Sequence, residues 1–247
     1  MMKIFSPHFQ EIQSAILERE YDSKVESHCP CGSGPASFRC QECFISPPCC
    51  AKCLVDMHQH QPFHLIQEWT STHFMCCTLE SLGLTILLGH HGQHCPNAPS
   101  SQSVKQSGWH TTIVNTNCIQ ISRIEYCYCL SSATKPLQLI AAGLFPGTMQ
   151  QPDTAFTFEV LNDFHVHTLT SKKSAYDYFT ALKKHTDSTF SHELSVRCII
   201  QFPMLTQLPD TYSRISIVIV NSFRSLVSGG IWLVSVVLAR CTILIRF

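Results

Sequence analysis

Hydrophobic and polar positions along this chain follow two periods, and the switches between them mark its elements. Residues 8–20 carry Phe9, Ile12, Ala15 and Ile16 at helical spacing, with Glu11, Glu18 and Glu20 elsewhere, which predicts an amphipathic helix. A polar stretch, 21–28, follows. Leu65-Ile66-Gln67-Glu68-Trp69 reads as a short strand or turn, with Trp69 as an apolar lid over the segment before it. Residues 74–88, with Gly83 as a break, favour a strand ending at Gly89, and the Pro-, Ser-, Asn- and Gln-rich residues 92–108 a loop. Residues 111–115 and 118–124 alternate with a period of two and predict paired strands of an antiparallel sheet.

Further along, the apolar run 137–144 ends in the turn Phe145-Pro146-Gly147, and a second run, 154–161, continues into Asn162-Asp163-Phe164-His165. The clearest helix comes next. Ser174-x-x-Asp177 is a capping box, Ala175, Tyr178, Phe179 and Leu182 fall at helical spacing, and Lys183-Lys184-His185 suit a helix C-terminus. No internal repeat appears. From about Ser191 the character changes, and residues 225–245 are nearly continuous apolar sequence interrupted by Arg240. That stretch is just long enough to span a bilayer. Three readings stand for residues 191–247: a C-terminal membrane segment, a non-native tail from out-of-frame or intron translation, or buried structure.

The chemistry concentrates between these elements. Residues 29–64 hold seven cysteines and three histidines: Cys29-x-Cys31, Cys40-x-x-Cys43, Cys49-Cys50-x-x-Cys53, His58, His60 and His64. Zinc takes four Cys or His ligands, and a Cys-x-x-Cys turn places two thiolates on one ion without strain. The spacing supports eight ligands, Cys29, Cys31, Cys40, Cys43, Cys50, Cys53, His58 and His64, on two zinc ions. A cross-braced wiring follows, with the first and third pairs on one ion and the second and fourth on the other. Cys49 competes with Cys50, and His60 with His58. A disulfide framework needs an oxidising compartment, and Met1-Met2-Lys3-Ile4-Phe5-Ser6-Pro7-His8 has no apolar run suited to a signal peptide. The expected location is nuclear or otherwise intracellular.

Composition narrows the function. At 247 residues there is room for a small metal module and a second unit. Hydrophobic residues make up 45%, enough for a core, but charged residues only 14%, against roughly 25% in ordinary domains. The formal net charge is zero, and the best cationic clusters are Lys172-Lys173 and Lys183-Lys184. That excludes the basic field of an autonomous nucleic-acid binder. Catalysis finds little support. The acids after residue 64 form no carboxylate constellation for two-metal phosphoryl transfer, and no Gly-rich phosphate loop is present. Asp163-Phe-His165-Val-His167 is the sharpest catalytic candidate, because His-x-His on a strand can hold a hydrolytic metal; its plainer reading is a strand or helix start with one satisfied histidine. The expectation is a non-enzymatic protein with no small-molecule substrate.

Several separated motifs occur in one order: the ladder itself, Cys53-Leu-Val-Asp-Met-His58-Gln-His-Gln-Pro62-Phe63-His64 through Trp69, Leu88-Gly89-His90, Cys95-Pro96-Asn97, Tyr126-Cys127-Tyr128-Cys129, Leu144-Phe145-Pro146, residues 154–161, Phe164-His165 and Ser171-Lys-Lys-Ser-Ala-Tyr-Asp-Tyr-Phe179. Over about residues 9–190 this resembles the CxC-type cysteine-cluster domain of KDZ (Kyakuja–Dileera–Zisupton) transposase proteins of fungi. The resemblance implies an accessory zinc domain that aids recognition of transposon DNA or chromatin, preceding a catalytic region of RNase-H-like fold that this chain lacks. It favours His58 and His64 over His60. It also implies a third metal site at Cys95, Cys127 and Cys129; where relatives carry a histidine before the second Cys-x-Cys this chain has Gln120, so Cys118 or His94 would complete the set, and the plainer alternative is three buried thiols.

The fold class expected is α+β: an N-terminal helix and linker (8–28), a small cross-braced zinc module similar to a B-box (29–69), a mainly antiparallel β unit with flanking helices (70–190) and the divergent tail (191–247). Because the ligand order is B-box-like and the charge low, the alternative function is a zinc-dependent protein-interaction or dimerisation module. A membrane-anchored remnant is the third.

Overall fold

The computed structural model describes residues 5–20, 25, 27–98 and 109–186. All of them fall in one of the chain's two units, Met1–Phe202; the apolar stretch 225–245 and the rest of the tail lie outside the described residues. Among the described residues no helix is long and apolar enough to cross a membrane.

The first helix, α1 (Phe9–Glu20), follows a 3-10 turn at Ser6–His8 that Pro7 opens. Its predicted apolar stripe forms, yet none of the helix is buried. What holds it is its C-terminal end. Arg39 donates to the Arg19 carbonyl at 3.2 Å and pairs with Glu20 at 3.2 Å. The same guanidinium donates to Gln67 at 2.8 Å and lies 3.6 Å over the Phe74 ring, so one side chain ties α1 to the first sheet.

That sheet has three short antiparallel strands in chain order: β1 (Phe38–Cys40), β2 (Ile66–Trp69) and β3 (Phe74–Cys77). Trp69 is half-buried and meets Phe74 edge-on at 5.0 Å. Helix α2 (Ala51–Met57) crosses between β1 and β2. Leu54 on α2 and Ile66 on β2, both fully buried, join Leu79 and Leu84 in a small apolar core that includes four buried cysteines. With Phe38, Val55 and Leu82 packed partly buried against them, these residues still make a small apolar volume for so short a segment.

The single strand expected over residues 74–88 is two strands in different sheets. Between β3 and β4 (Thr85–Leu87) the chain makes a turn in which Gly83 adopts φ +95°, open to glycine at no steric cost, and Leu84 N–H donates back to the Leu79 carbonyl at 2.9 Å. Leu79 and Leu84 thereby stay in the first core while β4 enters the second sheet.

The second sheet runs β4-β6-β5-β8-β7, with β5 at Trp109–Val114, β6 at Ile119–Glu125, β7 at Leu144–Pro146 and β8 at Thr154–Thr157. The hairpin β5–β6 is antiparallel, from Trp109↔Ile124 to Val114↔Ile119, as is β7–β8. The junctions β4–β6 and β5–β8 are parallel, so this sheet is mixed. Ile113, Ile124, Tyr126, Leu139, Leu144 and Ala155 fill its core. The run 137–144 divides into α3 (Lys135–Ala141) and β7, and Pro146 sits on the sheet's edge strand, where a missing N–H is tolerated. The run 154–161 divides at Thr157: its Oγ1 accepts the Val160 N–H at 3.2 Å and starts α4 (Phe158–Ser171). Helix α5 (Ala175–Thr186) carries the cap the sequence predicts. Asp177 N–H donates to Ser174 Oγ at 3.1 Å, the Ser174 hydroxyl donates to the Asp177 carboxylate at 2.6 Å, and Tyr178, Phe179 and Leu182 are buried. The class is α+β, with five helices among the described residues.

Candidate metal centres

Three groups of Cys and His donor atoms converge in this fold, each with all four atoms within 4.8 Å of one another. The first joins Cys29 and Cys31 to Cys50 and Cys53. Cys29 and Cys31 lie in a tight loop where Gly32, at φ +74°, donates to the Cys29 carbonyl at 2.8 Å. Cys50 is the N-cap of α2 and Cys53 lies in its first turn, so the helix start aims both thiols one way. Sulfur atoms stand 3.5 Å apart for Cys31–Cys29 and Cys31–Cys50, and 3.9 Å for Cys29–Cys53. A disulfide needs about 2.05 Å. Ser33 N–H donates to Cys31 Sγ at 3.4 Å, and bonding to Ser33 lowers this thiol to about 6.

Cys49 lies outside this group. Its N–H and carbonyl are both paired with Phe38, and burial pushes its thiol up to about 11. His60 is exposed and joins none of the three groups.

The second group joins Cys40 and Cys43 to His58 and His64. Cys40 ends β1 and Cys43 closes the knuckle after it, donating its N–H to Cys40 Sγ at 3.4 Å. His58 is 1% exposed, and its Nδ1–H donates to the Leu54 carbonyl at 2.8 Å. A carbonyl only accepts, so the lone pair is on Nε2, which stands 3.3 Å from Cys43 Sγ. His64 presents the other nitrogen: Nδ1 lies 3.4 Å from Cys40 Sγ and 3.5 Å from Cys43 Sγ. Burial holds the His64 ring below the ordinary imidazole range, which keeps it neutral and able to donate a lone pair, and pushes Cys40 up to about 11.

The third group joins His90 and Cys95 to Cys127 and Cys129. Its sulfurs stand 3.9 Å apart for Cys95–Cys127 and Cys95–Cys129, with His90 Nε2 3.5 Å from Cys127 and 3.4 Å from Cys129. Tyr128 N–H donates to Cys95 Sγ at 3.3 Å and is the largest cause lowering that thiol to about 6. Glu125, at the end of β6, accepts from the Cys95 N–H at 3.4 Å and pairs with His94 at 3.0 Å. His94 is thus engaged outside the group. Cys118 is 1% exposed, raised by burial to about 12, and also lies apart from it.

The histidine at position 90 is the residue that reading the sequence missed. It stands in a left-handed turn, with φ +51° at His90 and +56° at His91, closed by Gly92 N–H on the Gly89 carbonyl at 2.9 Å. Its signal was the spacing His90-x4-Cys95 next to Leu88-Gly89. The motif Asp163-x-His165-x-His167 lies on helix α4, not on a strand, and joins no donor group. Two residues apart on a helix do not share a face. Asp163 instead accepts from the Tyr178 hydroxyl at 2.6 Å and lies 3.7 Å from His167.

The fold and its sites together define a class: an α+β protein with three Cys/His groups that could each hold a metal ion. Residues 79–190 match the family model of the CxC2 like cysteine cluster associated with KDZ transposases. The match takes in the third group whole and begins beyond His64, so the first two groups lie outside it. No curated protein and no solved structure matches the chain.

Proposed function

We propose that this chain is a non-catalytic, zinc-binding accessory region of a KDZ-type transposase protein, holding one zinc ion in each of the three donor groups. The observation that carries the reading is the set of donor separations. With bonds of about 2.3 Å to sulfur and about 2.05 Å to nitrogen, a tetrahedral zinc site has S–S edges near 3.8 Å and S–N edges near 3.6 Å. Ten of the eighteen edges lie at 3.5–3.9 Å between sulfurs or 3.3–3.5 Å from sulfur to nitrogen, and every edge lies within 4.8 Å. Each group also offers four protein donors, the closed arrangement of structural zinc, and leaves no position for a reacting water. Sites of this kind supply folding energy to segments with little apolar core, which is the condition of residues 29–69. Metal analysis of the purified chain tests it: three zinc ions per chain support the assignment, and none overturns it.

Within that role the module helps recognise transposon DNA or chromatin, a reading that rests on the family match. A second reading, a protein-interaction or self-association surface, is favoured by exposed apolar groups: Phe9 and Ile16 on α1, and Phe44 and Ile45 beside the second group, the latter two 91% and 82% exposed. Binding to transposon-end DNA measured across a salt series separates them. Phosphate contacts give an affinity that falls steeply with salt; no binding at low salt sinks the DNA reading.

A further inference from the structure

The second donor group is bound into the larger sheet by one side-chain amide. Glu42 lies in the knuckle between Cys40 and Cys43, and its Oε2 accepts the Leu65 N–H at 2.8 Å. Gln41 N–H donates to the Leu65 carbonyl at 3.0 Å, so the knuckle is zipped to the residue after His64. Glu42 Oε1 accepts from Asn117 Nδ2 at 2.7 Å, and the same amide donates to the Phe63 carbonyl at 3.0 Å. Asn117 belongs to the β5–β6 turn of the larger sheet. Its two donor bonds thus hold the residue before His64 and the knuckle that carries the two cysteines. The chain of contacts continues inward: Asn115 Nδ2 donates to Asn117 Oδ1 at 2.9 Å, and the Thr157 hydroxyl, at the N-terminus of α4, donates to Asn115 Oδ1 at 2.9 Å. The Phe63 ring packs against the core of Ile113, Ile124 and Leu139.

We infer that Asn117 is a positioning residue for the second metal centre, setting His64 against Cys40 and Cys43 from the larger sheet, so that metal at this centre and order in the β5–β6 turn reinforce each other. The inference rests on the zinc reading above. A carboxylate and a carbonyl that converge on one NH2 group repel each other without it, and the bonds that orient ligands from outside the coordination sphere are worth about 10–100-fold in metal affinity. Coupling of this kind is reciprocal.

The full-length chain titrated with Co(II) alone, against a competing chelator, tests this, because the three centres, with no, one and two histidine donors, have different absorption bands. Asn117→Asp keeps the acceptor for Asn115 but removes both donor bonds and sets a charge against Glu42. The two-histidine centre should weaken about 10–100-fold while the other two hold. The pair Glu42→Gln with Asn117→Asp restores a donor–acceptor bond with its direction reversed and should recover part of that loss. Amide exchange at residues 115–118 should rise when the two-histidine centre is emptied. An unchanged affinity of that centre in Asn117→Asp overturns the coupling and leaves the zinc reading standing. Absence of cobalt binding in the unaltered chain overturns both. If Asn117→Asp loses all three ions together, the double variant decides, and no recovery there refutes the inference.

Discussion

Gln138 holds both backbone polar groups of Cys127. Its Oε1 accepts the Cys127 N–H at 2.8 Å, and its Nε2 donates to the Cys127 carbonyl at 3.0 Å and to the Ala133 carbonyl at 2.7 Å. The amide comes from α3 and is itself buried, so the helix fixes the backbone that presents the Cys127 and Cys129 thiols. Gln138→Leu keeps the size and removes every one of these bonds. Buried polar groups left unpaired cost about 1–3 kcal/mol each. The variant should lose on the order of 2 kcal/mol of stability in denaturant unfolding, and its third centre should bind metal about tenfold more weakly.

Gly89 tests the same centre from the other side. A Cβ there would sit 2.8 Å from the Cys127 Cβ and 3.4 Å from its Sγ. Space, not backbone freedom, demands glycine at this position, and the neighbour that would have to yield is a donor-bearing residue close to its own backbone. Gly89→Ala should therefore displace Cys127 from His90. Metal analysis should read two ions per chain in place of three, with the absorption of the first and second centres unchanged in a cobalt-loaded sample.

How much was legible follows from how local each signal is. The ladder's cysteine pairs lie two or three residues apart, its histidines His58 and His64 six, and the α5 cap spans three, so both are written in short windows. His90 was not, because a left-handed backbone at His90 and His91 turns the ring toward Cys95, Cys127 and Cys129, and nothing in the residue types announces that turn. Residues 154–161 read as one apolar run because side chains inside a sheet and at the start of a packed helix are both apolar; only the cap at Thr157 separates them. The parallel pairings Thr85↔Arg123 and Thr112↔Thr154 join residues about forty apart, beyond any periodic signal. The α1 stripe shows the opposite limit. Its period predicted the helix correctly, while the exposure of Phe9 and Ile16 depends on what packs nearby, which period does not encode.

Alkaline pH should destabilise the fold through Cys118. Burial raises this thiol from its ordinary value of 9.0 to about 12. The folded protein thus keeps a proton that the unfolded chain has released between those values, and unfolding gains from the release. The stability contributed by the neutral thiol is complete below pH 9 and declines as pH rises toward 12. Tyr126, also raised by burial to about 12, adds to the same slope. Cys118→Ala removes one titrating group without adding a polar one. Denaturation midpoints measured from pH 8 upward should fall less steeply in this variant; parallel curves would show that Cys118 ionises as freely folded as unfolded.

The first and second centres should differ in how far their loss is felt. Both sit in the same short segment, and each gathers four Cys or His donors that could hold a metal ion. Among the described residues, only the second is hydrogen-bonded to the β5–β6 turn, through Glu42 and the Phe63 carbonyl. Cys53→Ser removes a donor from the first turn of α2; one ion should be lost and amide protection of α2 should fall, because structural zinc contributes directly to local folding. Cys43→Ser removes one donor from the second centre and frees the knuckle that Glu42 shares. Exchange at residues 115–118 should then accelerate several-fold more than in Cys53→Ser, while the α5 amides, held by the Ser174 cap and by buried Tyr178, Phe179 and Leu182, stay protected in both. Equal exchange at 115–118 in the two variants would mean that the module docks on the sheet through apolar packing, such as the Phe63 ring on the core of Ile113, Ile124 and Leu139, and that the Glu42–Asn117 bond carries no share of the coupling.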